Sequence, residues 1–262
     1  MLLLEKGLAS SEKEAIALIM EGRIKTVNNP NLKPGDMLPI DSKIELISKK
    51  LYVSRGGYKL EGAFNDLGLS VKNKTAIDIG SSTGGFTDYL LSKGAKMVTA
   101  IDVGYGLLSW NLRNCEKVEV LERTNIRYLD SSRLKCFADI AVADVSFISI
   151  KKILSKILEI TKVDADMLLL INPQFELRRE DVRNKGIVKE EHLHIKALAD
   201  IVKFLEDFSV YIKDIVFSRI KGAKGNIEFW IYLKKTTNST KSKLNYDKII
   251  TDIVNKAHLF FT

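Results

Sequence analysis

The chain has 262 residues, of which 45% are apolar and 28% charged, and its formal net charge is +8 at pH 7. That composition can fill a core, and no apolar run approaches the ~20 residues needed to cross a bilayer. The opening MLLLEKGL is too short an apolar stretch for a secretory signal. Cys115 and Cys136 stand alone, and His192, His194 and His258 lack ligand spacing, so neither a disulfide framework nor a metal site is expected. The positive balance permits contact with nucleic acid. Its distribution sharpens the point: Lys213, Arg219, Lys221, Lys224, Lys234, Lys235, Lys241 and Lys243 are opposed only by Asp214 and Glu228.

In chain order, SEKEAIALIME predicts a helix over 11–21, capped by Ser10 or Ser11 with Glu14 in its first turn. EGRIKTVNN predicts a short strand bounded by Gly22 and Asn28–Asn29. Pro34 and Gly35 mark a turn, and IDSKIELI predicts a second strand alternating at Ile40, Ile44 and Leu46. Residues 1–50 thus form a small α+β module. Residues 51–57 read as a linker bent at Gly56–Gly57. A helix over 58–67 follows, with Lys59 expected in solvent.

From Lys74 the rhythm becomes strand, turn, helix. Apolar runs at 75–79, 97–101, 118–121, 139–143 and 167–171 alternate with helical patterns at 84–93, 105–112, 149–160 and 190–206. Short parallel strands covered by crossover helices produce that pattern. YIKDIVFSRIKGAKGNIEFWIYLKK reads as two strands closing one sheet edge. The domain is expected to end near 235, followed by a polar linker and a final helix near 246–259.

The chemistry is expected at the strand ends. TAIDIGSSTGGFTDYLL places Asp78, Gly80, Ser81, Ser82, Gly84, Gly85 and Phe86 at a strand-to-helix junction, where backbone N–H groups can approach a ligand. Asp102 ends the next strand, where an acid can accept hydrogen bonds from ribose hydroxyls. Asp78 would oppose a pyrophosphate but suits a sulfonium ligand with a free amino group; the lesser reading makes it a cap or turn former. The pattern favours S-adenosylmethionine over a dinucleotide, and no GKS or GKT ending supports a P-loop. Val103, Asn125 and Asp144 complete the expected cofactor set. Arg178, Arg179, Arg183 and Lys185 in one loop, and Lys221 and Lys224 in another, suggest a polyanionic substrate.

YVSRGGYKLEGAF, AIDIGSSTGGFTDYLL, AIDVGYG, LERTNIRYL, DVSFISI, NPQFE and IKGAKGNIEF together resemble the hemolysin-A-type ribosomal RNA 2′-O-methyltransferases, within the heat-shock-type RNA ribose methyltransferases. EKGLASS, EKEAIALIMEGRI and LKPGD resemble an S4-type RNA-binding domain. The resemblance implies a Rossmann-like α/β S-adenosylmethionine-dependent methyltransferase fold of seven strands, six parallel and one antiparallel. It implies a cytoplasmic protein that acts on a ribosomal RNA cytidine, in ribosomal RNA or a ribosomal subunit, without stable membrane insertion. It carries a Lys–Asp–Lys–Glu catalytic set onto Lys59, Asp144, Asn172 and Glu228. Asn172 stands where the second lysine is usual, and an amide cannot act as a base at neutral pH. NPQF also echoes the Asn-Pro-Pro-aromatic motif of amine methyltransferases, but that motif follows the fourth strand, which here ends in Asp144. Asn172 supports a second expectation, a non-catalytic RNA or ribosome binder that keeps the cofactor pocket. A membrane-active hemolysin, the third, finds no extended apolar segment. Glu12, where a basic residue is common in S4-type helices, would repel phosphate.

Overall fold

The computed structural model describes residues 2–20, 24–26, 32–46, 51–182, 186–237 and 245–262. The chain divides into two compact units, Met1–Leu51 and Tyr52–Thr262.

The first unit contains α1 (Leu2–Glu5), α2 (Glu12–Met20), β1 (Ile24–Thr26) and β2 (Ile44–Leu46), with the two strands antiparallel. Ser11 caps α2, and Ser10 braces the same turn. The Glu14 carboxylate accepts from the Ser10 N–H and hydroxyl, while the Ser11 hydroxyl accepts from the Glu14 N–H. Leu3, Ala9, Ala15, Leu18 and Ile24 make the small core. Ile40 and Leu46, expected on an inward face, are exposed. Gly22 and Asn28–Asn29 lie outside the described residues.

The second unit runs α3 (Arg55–Leu67), β3 (Thr75–Ile79), α4 (Gly85–Ser92), β4 (Met97–Ile101), α5 (Trp110–Arg113), β5 (Val118–Leu121), β6 (Ala138–Ala143), α6 (Leu154–Glu159), β7 (Thr161–Ile171), α7 (Pro173–Glu176), α8 (Glu191–Leu205), β8 (Val210–Phe217), β9 (Phe229–Lys235) and α9 (Tyr246–Phe261). The sheet order is β5-β4-β3-β6-β7-β9-β8. β9 runs antiparallel to both of its neighbours and is the one reversed strand among the seven, as expected.

Strand periodicity divides the core in two. Ile77, Ile79, Ala141, Ala143, Met167, Leu169, Ile171, Phe229 and Ile231 face α6, α8 and α9. Ala76, Ile140, Val142, Leu168, Leu170 and Trp230 face α3 and α4. A sheet buried on both faces explains strands that read as continuous apolar runs.

β7 begins six residues earlier than the apolar run at 167–171, and four further departures from the sequence reading have a clear physical reason. First, α3 starts at Arg55, because the Ser54 hydroxyl accepts from the Gly56 N–H. Gly56–Gly57 is therefore helical rather than a bend, and a Cβ on Gly57 would overlap the Tyr52 ring. Second, the pattern at 105–112 yields only α5, since Asp102 accepts from the Gly104 N–H and Gly106 takes a positive φ. Third, the helix expected over 149–160 is broken at Ile153 into a 3₁₀ turn, Ile150–Lys152, and α6. Fourth, α9 is not an appendage. Its Ile250, Val254 and Ala257 are buried in the core that also holds Leu198, Ile201 and Leu205 of α8.

Candidate active site

β3 and β6 lie side by side at the centre of the sheet, and the strands that follow them are added in opposite directions, β4 on one side and β7 on the other. Ligands of open α/β sheets bind where the strand order reverses, beyond the carboxyl ends. Gly80 leaves β3 with φ +82, and a Cβ there would overlap the carbonyl oxygen of Asp144, which leaves β6. Two cavities open at this crevice. One, of about 330 Å³, is lined by Ser54, Arg55, Gly56, Lys59, Ser81, Thr83, Gly85, Phe86 and Ala223. The other, of about 510 Å³, is lined by Asp102, Val103, Leu107, Asn125, Arg127 and the segment from Val145 to Ile148. Gly80, Ser82 and Asp144 belong to both.

All four expected catalytic positions converge here. Lys59 lies in the second turn of α3 and is buried, contrary to its expected solvent exposure. Its Nζ stands 2.6 Å from Glu228 Oε2 and 3.7 Å from Asp144 Oδ2. Asn172, after β7, donates from Nδ2 to Asp144 Oδ1 at 3.2 Å. The Asp144 carboxylate is thus shared between the amine and the amide. Burial pushes Glu228 up to about 7, with Lys59 opposing the rise and Asp144 adding to it. The site holds a carboxyl that exchanges its proton near neutral pH, in contact with the amine.

The cofactor set is only partly in the cavity walls. Gly80, Ser81, Ser82, Gly85, Phe86, Asp102, Val103, Asn125 and Asp144 line one or both cavities. Asp78 and Gly84 line neither. Asp78 is on the same sheet face as Ala76, toward α4, and its Oδ2 accepts from the Thr87 N–H (2.9 Å) and hydroxyl (2.7 Å). It therefore takes the capping role that the sequence also allowed. Burial pushes its carboxyl up to about 7, against the pull of Thr87. Its Oδ1 is buried without a partner. Gly84 has φ +96, and a Cβ there would overlap Leu108 and Leu112, so both its backbone conformation and its packing need glycine. Asp102 accepts from the Ser82 N–H at 2.8 Å and the Gly104 N–H at 2.7 Å, which fixes its carboxylate at the wall of the larger cavity. Asn125 Oδ1 accepts from the Arg127 N–H.

The basic loops divide. Ala223 reaches the smaller cavity, which brings the Lys221–Lys224 turn to its rim, and Lys224 is exposed. Arg178 and Arg179 are exposed beyond α7 and line neither cavity, with Arg178 3.6 Å from Glu180. Arg183, Lys185, Lys241 and Lys243 lie outside the described residues. His194 Nδ1 and His258 Nε2 are 2.8 Å apart, and among the described residues no cluster of three or more His, Cys, Asp or Glu could hold a metal.

Of the cavity-lining residues that escaped the sequence reading, two bear on the chemistry. Arg55, inside YVSRGGYKL, lines the smaller cavity and donates to the Lys221 carbonyl at 2.7 Å. Phe147, inside DVSFISI, has φ +63, is 89% exposed at the larger cavity, and lies 5.3 Å from the Phe175 ring. A bulky residue at positive φ is strained, and such strain concentrates at ligand sites.

A glycine-shaped crevice, an acid at the end of the second strand and a lysine held by two carboxylates on a seven-stranded sheet define a Rossmann-like methyltransferase frame. The FtsJ-like methyltransferase profile matches residues 52–235, and the chain belongs to that family. It is 40% identical to a provisionally named rRNA methyltransferase of Bacillus subtilis, YqxC, over 98% of this chain and 92% of that one. It is 34% identical to the Mycobacterium tuberculosis 16S/23S rRNA (cytidine-2′-O)-methyltransferase TlyA over 97% of this chain and 94% of the relative. A solved structure of a provisionally named hemolysin from Streptococcus thermophilus superposes with a TM-score of 0.77 at 38% identity, covering 99% of this chain and 94% of that one.

Proposed function

We propose that the protein transfers a methyl group from S-adenosylmethionine to the 2′-hydroxyl of a ribosomal RNA ribose, on a cytidine. The observation that carries this reading is the convergence of Lys59, Asp144, Asn172 and Glu228 where the two cavities meet. The similarity to a named cytidine-2′-O-methyltransferase supports the choice of substrate.

The residues suit the cofactor. Asp102 offers a carboxylate to a ribose diol, the Gly80–Ser82 backbone permits close approach, and the unpartnered Asp78 oxygen can accept from a nearby donor. When bound there, S-adenosylmethionine supplies a methyl group on a positively charged sulfur. The rest falls to the protein. A 2′-hydroxyl is a poor nucleophile until its proton is leaving. In this reading a neutral Lys59 amine accepts that proton, with the Glu228 carboxyl 2.6 Å away. Asp144 holds both Lys59 and the Asn172 amide, and in this reading the Asn172 amide hydrogen-bonds the ribose. Correct alignment of hydroxyl and methyl supplies much of the acceleration.

The first unit, with its two helices and antiparallel strand pair, fits an S4-like RNA-binding module. Asn172 favours a second reading, an RNA or ribosome binder on a methyltransferase frame, because the neutral amide supplies neither base nor charge. Among the described residues no helix is long and apolar enough to cross a membrane. The decisive experiment incubates the protein with isotope-labelled S-adenosylmethionine and ribosomal subunits, then analyses RNA nucleosides by mass spectrometry. Labelled 2′-O-methylcytidine is the expected product. Retained RNA binding without label, at saturating cofactor, would replace the enzyme with the binder.

A further inference from the structure

The helix α9 lies beyond the part of the chain that the family profile covers, yet its last turn reaches the rim of the catalytic cavity through aromatic and cationic contacts. Phe260 and Phe261 pack on Phe217 at the end of β8, with ring centroids 5.3 and 6.2 Å apart. Past β8, the Arg219 guanidinium sits 5.8 Å from the Phe260 ring and is held by two hydrogen bonds to Asp66 of α3 (3.0 and 2.7 Å). The Lys221 ammonium lies 4.8 Å from the Phe261 ring. The Lys221 carbonyl then accepts from Arg55, whose side chain lines the cavity. One residue further, Gly222 fits so tightly that a Cβ would overlap Glu228 Oε1.

We propose that Phe261 is a positioning residue for substrate RNA: its ring holds Lys221, the Lys221 carbonyl holds Arg55, and Arg55 receives a phosphate of the RNA strand entering the catalytic cavity. The inference rests on the methyl-transfer reading for the nature of its ligand. Three features support it. A cation resting on an aromatic face is immobilised without losing its charge. Arg55 is anchored through one terminal nitrogen to a carbonyl, which leaves other guanidinium N–H groups in a fork suited to phosphate oxygens. Apart from Arg55, the charged residues lining the cavity are Asp144 and Lys59, and Lys59 is already held by Asp144 and Glu228, so an incoming polyanion needs a further cation at the edge.

The test uses the full chain and ribosomal RNA, with four proteins: natural, Phe261→Ala, Phe261→Tyr and Arg55→Ala. RNA affinity is measured by filter binding at several salt concentrations, beside cofactor affinity by calorimetry and single-turnover methyl transfer. Phe261→Ala is expected to weaken RNA binding about tenfold, the equivalent of one charge-assisted hydrogen bond. The slope of log affinity against log salt should fall by about one unit. Cofactor affinity should stay within about twofold, and Phe261→Tyr should restore RNA binding, because a phenol keeps the aromatic face. In an Arg55→Ala background Phe261→Ala should add nothing, since both changes remove the same phosphate contact. Additive losses in that double variant, or an unchanged salt slope in Phe261→Ala, overturn the proposal. So does a parallel loss of cofactor affinity, which marks general loosening of the fold. If the natural protein binds RNA but transfers no methyl, the methyl-transfer reading fails while the RNA-binding comparison still decides the role of Phe261.

Discussion

Replacing Lys59 by methionine removes one charge from a buried ion pair and keeps most of the side-chain volume. Its partner Glu228 is 3% exposed and is pushed up from 4.5 to about 7, mainly by burial. A carboxyl raised in the folded state favours folding below pH 4.5, and that contribution is lost as the pH climbs through 7. At pH 8 the natural protein therefore already carries a cost on the order of 3 kcal/mol for holding Glu228 ionised. Without Lys59 the carboxyl rises further. The cost at pH 8 then grows, whereas at pH 5.5 Glu228 is protonated in both folded proteins and nothing is added. The lost packing of the lysine stem is common to both conditions. Lys59→Met should thus destabilise more at pH 8 than at pH 5.5, by on the order of 1 kcal/mol, severalfold in the unfolding constant. Denaturant titrations at the two pH values measure it, and adding Glu228→Gln should erase the difference. Equal destabilisation at both pH values would show that Lys59 does not balance the Glu228 charge. Methyl transfer should be abolished in the single and the double variant alike, which separates the stabilising role of the pair from its chemistry.

Asn172→Lys should raise single-turnover methyl transfer by about 10²-fold, with cofactor affinity little changed, because it adds an amine beside Asp144; an unchanged rate at saturating cofactor would show that the reaction does not need a second amine. The natural single-turnover rate should rise with pH through about 7 as Glu228 ionises, and Glu228→Gln should flatten that limb; a variant that keeps the same inflection would assign it to another group. Gly80→Ala should cost about 1–3 kcal/mol in stability and weaken cofactor binding more than tenfold, since it combines a positive φ with overlap on the Asp144 carbonyl; a melting curve and a calorimetric titration check both effects.

What the sequence made legible is local or periodic. The runs at 75–79, 97–101 and 118–121 are the observed strands to the residue, because buried parallel strands need continuous apolar stretches. Asp102 and Asp144 were readable as strand-end acids, and the structure sets both at cavity walls. Asp78 was read as a cofactor acid or a cap, and the structure turns its carboxylate to the α4 side, where it accepts from Thr87. Lys59 could not be placed by any local pattern. Its burial depends on Glu228, 169 positions later, across an edge of the sheet that exists only after β9 inserts between β7 and β8. The same distance hid Arg55, whose partner is the carbonyl of Lys221. Helix α9 was visible as an amphipathic pattern, but its docking on α8 and β8 was not, because an apolar stripe does not name the surface it will cover.

The charge balance of the site follows from Asn172. With lysine at that position, two cations would face the two carboxylates of Asp144 and Glu228. With asparagine, Lys59 alone faces both, and the cluster carries one formal negative charge when both are ionised. A buried site does not hold an uncompensated charge cheaply. Two features relieve it. Glu228 takes up a proton below about pH 7, and Arg55, at the cavity wall, draws the Glu228 value down from its desolvated extreme. The fixed charge of a second lysine is thereby replaced with a proton that comes and goes near neutrality. A phosphate entering beside Arg55 competes with Glu228 for the same guanidinium field, which raises the Glu228 proton affinity further. Substrate binding and proton uptake are then linked: RNA affinity should increase as the pH falls through 7, and each RNA bound should draw a fraction of a proton from solution near that pH. Calorimetric binding in two buffers of different ionisation enthalpy reads that proton directly. Heats that do not depend on the buffer would refute the linkage.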